Sequence, residues 1–295
     1  MSNPVCISPL KFYDSLAKQS HRKSYAYGHI SPLITKTGWI PPFQFVIPTQ
    51  DYINGGSQIT EFKIYNAKTD KEIINGIPQD YIQADGNFTI RTIDGYKVLV
   101  HCSNIKLEGL SEGLYYLKLV SGNSGVWTYY SEVFCFDNVT KDCLELEYWN
   151  ETGNFAVKNG VIAFPADFHF KLLLKGEIGK PEYNFEEEST KRLGYTFVES
   201  QVSKKTYKFN TIVPEYICDA LRLVRLCDNK IIRCKDDEYE AITFEMEAEW
   251  QTQGDLASVN CEFETDNVIA NIGGFVSDKL GGDYNNDYNK DFDKE

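Results

Sequence analysis

None of the eight cysteines in this 295-residue chain forms a CxxC pair. Zinc sites draw two ligands from one turn to preorganise half of the tetrahedron, so the absence argues against a structural zinc. Several cysteines sit in apolar alternation, as Cys135 does in SEVFCF and Cys261 in VNCEF, where a small hydrophobe suffices. They read as reduced core thiols of a protein made in a cytoplasm, and neither metal nor cofactor is expected. No run approaches the roughly 20 apolar residues of a membrane span. The opening MSNPVCISPLKFYDS lacks a basic stretch followed by an apolar one, so no secretory leader is expected. There are four histidines and no HExxH, GxSxG or Walker pattern. Nothing in the spacing nominates a catalytic residue, and the chain is read as a non-enzyme.

Aromatics and acids are what the chain has in quantity. It holds 19 Tyr and 18 Phe and carries a net charge of −13. A body this acidic repels phosphate backbones, which argues against specific nucleic-acid binding and leaves at most DNA in transit. The charge is uneven. Residues 1–48 hold Lys11, Lys18, Arg22, Lys23 and Lys36 against Asp14, a net +4 that leaves −17 on the remainder. A basic segment on an acidic body suggests an arm that lies on an acidic surface, such as a neighbouring copy of the same protein.

Six of the ten prolines fall in residues 1–50, which predicts an irregular segment with at most a short helix around Pro9–Gln19. The same segment is aromatic, with Trp39, Phe43 and Phe45 as candidate arm anchors and Arg22 and Lys23 as electrostatic contacts. Disordered tails rarely carry such residues. From 51 to 140, runs such as ITEFKIYN, NFTIRTI, YKVLVHC, GLYYLKLVSG and WTYYSEVFCF alternate between turn signals and predict an antiparallel β-sandwich. The Leu114–Phe136 hairpin, turning at 122–125, is the clearest local feature. A second sandwich is expected over 141–272, from LELEYWN, NFAVK, HFKLLLKGE, KTYKFNTIV, NKIIRCK, AITFEMEAEWQ and SVNCEFET. Within it Ile217, Leu221 and Val224 repeat at helical spacing behind Pro214, predicting one short helix near 214–227. Residues 273–295 form a polar acidic tail. The fold expected is thus mainly β: two antiparallel β-sandwich domains, one short helix, an irregular N-terminal arm and an acidic C-terminal tail.

Three carboxylates in a row, Glu186, Glu187 and Glu188, are placed in a loop. A charge run is ordinarily a solvated face, and here it is also a candidate acidic docking patch for the arm. Coupled carboxylates serve glycoside hydrolysis only at defined separations, which abundance does not supply. Trp39, Trp127, Trp149 and Trp250 are candidate sugar platforms, each more simply read as packing. In the tail, Asp283, Asn285 and Asp287 imitate the start of a calcium loop. Tyr288 and Lys294 stand where that loop needs glycine and glutamate, so calcium is not expected.

The order GWIPPFQFVIP (38–48), GLYYLKLVSGNSGVWTYYSEVFCFDN (113–138), then PEYNFEEES with VPEYICDALRLVRLCDNKIIRC (181–234), resembles virion proteins of Bacteroides-infecting crAss-like phages and related prophages. It covers most of the chain from Trp39 to Asn271. The resemblance implies a non-enzymatic neck or tail ring protein, a homo-oligomer located in the virion and assembled in the host bacterial cytoplasm. Its partners would be other neck, tail or portal-proximal proteins, without a membrane. The alternative is a glycan-binding receptor-recognition or tail-adaptor module. On the ring reading, deletion of residues 1–48 is expected to leave both sandwiches folded and to abolish assembly.

Overall fold

The computed structural model describes residues 9–16, 33–36, 39–40, 43–48, 59–74, 88–93, 96–101, 105–106, 110–121, 127–137, 143–157, 160–164, 168–192, 195–250, 256–265 and 269–272. Among the described residues the protein is mainly β with one short α-helix. In chain order the strands begin with β1 (Phe12–Tyr13), β2 (Leu33–Lys36), β3 (Trp39–Ile40), β4 (Phe43–Pro48), β5 (Ile59–Asn66), β6 (Glu72–Ile74), β7 (Phe88–Ile93) and β8 (Tyr96–His101). There follow β9 (Ile105–Lys106), β10 (Gly113–Ser121), β11 (Trp127–Ser131), β12 (Phe134–Asp137), β13 (Cys143–Trp149), β14 (Asn154–Val157), β15 (Gly160–Ala163) and β16 (Phe170–Lys175). The last are β17 (Glu182–Arg192), β18 (Tyr195–Pro214), helix α1 (Glu215–Leu226), β19 (Asn229–Cys234), β20 (Asp237–Glu240), β21 (Glu245–Trp250), β22 (Leu256–Glu264) and β23 (Ile269–Ile272). Among the described residues no helix is long and apolar enough to cross a membrane.

The chain divides into two compact units, Met1–Pro181 with Thr206–Asp266, and Glu182–Lys205 with Asn267–Glu295. The first is built on a large sheet in the order β1-β11-β10-β12-β2-β16-β13-β19-β20, with β5 on the other side of β10. Strands from both sides of residue 140, and from the N-terminal segment, therefore share one sheet. The pairing is antiparallel except where β2 runs parallel to β12, Leu33 opposite Phe134. β10 and β11 form the expected hairpin, with Ser121 opposite Trp127, and its turn residues lie outside those described. The strand does not continue straight into β12. At Ser131–Val133 it kinks: the Ser131 hydroxyl accepts from the Leu117 amide and donates to the Glu132 carbonyl. The kink turns Glu132 fully inward, where the Tyr13 hydroxyl donates to it.

In the same unit, Thr206–Pro214 of β18 pairs with β22, and β22 with β21. Helix α1 packs on β21 and β22. Its apolar stripe, Ile217, Leu221 and Val224, is buried, as the helical spacing predicts. Pro214 stands just before the first turn, Glu215 lies in that turn and Arg225 in the last, each charge complementing the helix dipole. The core is dominated by rings: Phe164 meets Phe170 edge-on at 4.7 Å, Tyr148 stacks on Phe170 at 5.3 Å, and Tyr207 on Phe263 at 5.5 Å. Backbones also approach closely. A side chain on Gly176 would lie 2.9 Å from the Asn210 carbonyl oxygen, so this position needs glycine.

The second unit holds β17, the first part of β18 and β23, whose Ile272 lies opposite Ser200. None of its described side chains is fully buried, and Tyr183 and Phe185 stand exposed on one face of β17.

Two expectations are corrected, and a third falls partly outside the described residues. Within Pro9–Gln19, Phe12 and Tyr13 pair with Ser131 and Tyr130 as a strand, Leu16 enters a 3₁₀ turn, and residues 17–19 lie outside the described residues. The N-terminal segment is not irregular throughout: its described part holds β1 to β4, with Pro48 ending β4, and β2 lies inside the large sheet. Glu186–Glu188 lie in strand β17 and not in a loop, because cross-strand partners on β18 hold them there. The acidic tail lies outside the described residues.

Candidate functional site

The proposed anchors do not gather at one place. Arg22 and Lys23 lie outside the described residues. Trp39 and Phe45 belong to β3 and β4, and their side chains also lie outside the described set. Phe43 is completely buried within the chain's own first unit, 5.0 Å from the Phe12 ring and 5.6 Å from Phe62. Leu10, Leu33 and Ile40 join the same core. Lys11 pairs with Asp219 of α1 at 2.6 Å, and the Leu33 amide donates to the Tyr216 hydroxyl at 2.7 Å. The described parts of residues 1–50 are thus integral to this unit, and deletion of 1–48 would cut its central sheet between β12 and β16. Of the acidic run, Glu186 accepts from Lys204 at 2.7 Å, Glu187 from Gln201 and Glu188 from the Ser200 hydroxyl.

Sequence reasoning passed over a polar cluster on the large sheet. The alternation in CLELEYW sends Leu144, Leu146 and Tyr148 into the core and places Glu145, Glu147 and Trp149 on the opposite face. Arg233 of β19 donates to both glutamates, at 3.2 Å to Glu145 and 2.5 Å to Glu147, and to Glu238 at 2.6 Å. His169 Nδ1 lies 2.8 Å from Glu147, and its ring stacks on Trp149 at 3.9 Å. Burial alone would push the Glu147 carboxyl up. Hydrogen bonds from Arg233 and His169 outweigh it and hold the group below the ordinary carboxylate range. The same bond to Glu147 raises Arg233. A glycosidase pair requires one carboxyl kept protonated as acid. Here Glu147 is driven toward the anion and a guanidinium bridges it to Glu145, an arrangement that locks three strands together. The i, i+2 glutamates in the apolar alternation of CLELEYW mark a polar face, but nothing in the sequence names Arg233 as their partner.

A second polar surface lies on β18, β22 and β21. The register lines up Lys208, Glu262 and Glu245 on one rung, Asn210, Asn260 and Glu247 on the next, and Ile212, Ser258 and Glu249 on the third. A shallow groove of about 310 Å³ runs among the first two rungs. Lys208 pairs with Glu262 at 3.5 Å and Arg225 with Glu245 at 3.3 Å. Trp250, at the end of β21, is half exposed.

The described cysteines are unbridged. Burial pushes the thiols of Cys227 and Cys261 up to about 12, and those of Cys135 and Cys218 to about 11. At neutral pH they are protonated, and a protonated thiol is a poor nucleophile and a poor ligand. Among the described residues no group of three His, Cys, Asp or Glu is placed to hold a metal ion. No protein-family model, curated protein or solved structure matches this chain.

Proposed function

We propose that the chain is a non-enzymatic structural protein of a phage virion, a neck or tail ring subunit that self-associates through contacts between its basic N-terminal segment and its acidic body. The observation that carries this reading is the order of the three stretches at 38–48, 113–138 and 181–234. A dense aromatic core and carboxylates committed to ion pairs suit a rigid scaffold. The proposed partners are further copies of the chain and other neck, tail or portal-proximal proteins, brought together in the host bacterial cytoplasm. Because Phe43 is internal, the intermolecular contacts are assigned to basic residues of the segment and not to that anchor. The finer architecture proposed is two antiparallel β-sandwiches, over 51–140 and 141–272, that have the large sheet in common and fold together.

Sedimentation of the purified chain and electron microscopy of particles test the function. A concentration-dependent oligomer, present in virions near the portal axis, is expected. A strict monomer absent from particles would refute it. Half-exposed Trp250 favours one alternative, a glycan-binding receptor-recognition or tail-adaptor module. Glycan-array binding that is lost in Trp250→Ala would move the assignment there.

A further inference from the structure

We infer that the open edge of β21, with the glutamate-bearing face beside it, takes up an extended basic strand from a second copy of this chain, the stretch that carries Lys18, Arg22 and Lys23. The inference rests on the ring-subunit reading and gives it a docking site.

β21 pairs along its whole length with β22, and among the described residues no strand pairs with its other side. An edge of this kind presents backbone donors and acceptors ready for strand addition. Side-chain alternation settles the character of that edge. Met246 and Ala248 pack toward the core, so Glu245, Glu247 and Glu249 share the outward face with the groove. Glu245 has Arg225, but Glu247 and Glu249 have no ion-pair partner among the described residues. Two copies of β21 laid edge to edge would set glutamate against glutamate, which is unfavourable. The edge therefore rejects its own kind and selects a strand of the opposite sign. A contact between two different patches is the heterologous type that closes into rings.

Residues 17–32 match in sign and spacing. They contain Lys18, Arg22 and Lys23 and no acid. In an extended strand Lys18 and Arg22 fall on one face four residues apart, the same separation as Glu245 and Glu249. The flanks of this stretch are fixed on α1 through Lys11–Asp219 and Leu33–Tyr216. Sixteen residues of chain separate the described positions Leu16 and Leu33.

The test uses the full chain, mixed as equal parts of unlabelled and ¹⁵N-labelled protein and joined with a zero-length carbodiimide that links amine to carboxylate. Mixed-isotope peptides connecting Lys18 or Lys23 to the 245–249 glutamates are expected. Links confined to one isotope would place the segment on its own chain and overturn the inference. In sedimentation, Glu247→Lys with Glu249→Lys should weaken self-association by about tenfold, and Lys18→Glu with Arg22→Glu in the same chain should restore it. Undiminished association of the glutamate variant overturns this docking site and leaves the ring reading standing. A wild-type chain that stays monomeric at every concentration removes both.

Discussion

Glu147 shows how a sheet face keeps a nearly covered carboxylate charged. Arg233, His169 and Lys171 surround it, and its carboxyl ionises more readily in the folded chain than at the ordinary value of 4.5. Its stabilising contribution is therefore full above that value and is lost as pH falls through the lower folded value. Glu147→Gln should flatten the acid limb of the stability curve and lower stability at neutral pH, since Arg233 loses its main partner. Urea unfolding followed from neutral pH down through the carboxylate range checks both, and an unchanged acid limb would remove Glu147 from this role. The thiols behave oppositely. Cys227 and Cys261, raised to about 12, should resist iodoacetamide in the folded state at mildly alkaline pH and react on unfolding. Mass spectrometry of the labelled chain reads this, and rapid native labelling would contradict the burial. The buried character of Cys261 was legible from its alternation in VNCEF. The bridge across Glu145, Glu147 and Arg233 was not, because it joins residues 88 and 86 positions apart in the sequence.

Helix α1 was readable because its information is local: Ile217, Leu221 and Val224 repeat at the helical period, and all three are buried. Leu221 has no exposed surface, and Leu221→Ala should cost about 2–5 kcal/mol, measured by denaturant unfolding. A much smaller loss would mean that α1 is only loosely seated on β21 and β22. The β10–β11 hairpin was legible for the same reason as the helix. The kink at Ser131–Val133 and the strand through Glu186–Glu188 depend on partners elsewhere, so composition pointed the wrong way for the acidic run. A row of glutamates resembles a solvated loop until Lys204, Gln201 and Ser200 are placed opposite it.

For the molecule as a whole, the mainly-β class followed from strand periodicity. The sharing of one sheet by β2, β12, β13 and β16 did not, because nothing in a four-residue strand announces its neighbours. This changes what truncation should do. Deleting residues 1–48 removes Leu10, Leu33, Ile34, Ile40 and Phe43 from the core. The truncated chain is expected to lose its cooperative thermal transition, as near-ultraviolet circular dichroism would report. A sharp transition retained after the deletion would mean that β12 and β16 close on each other without β2.

The seat of β2 also has a consequence for how the protein comes into being. Leu33–Lys36 leaves the ribosome early, yet its neighbours are Phe134–Asp137 on one side and Leu173 on the other. These nonlocal pairings carry a high contact order and the slow closure that goes with it. Throughout most of translation the apolar pair Leu33–Ile34 lacks its sheet neighbours, the kind of transient exposure that chaperones counter.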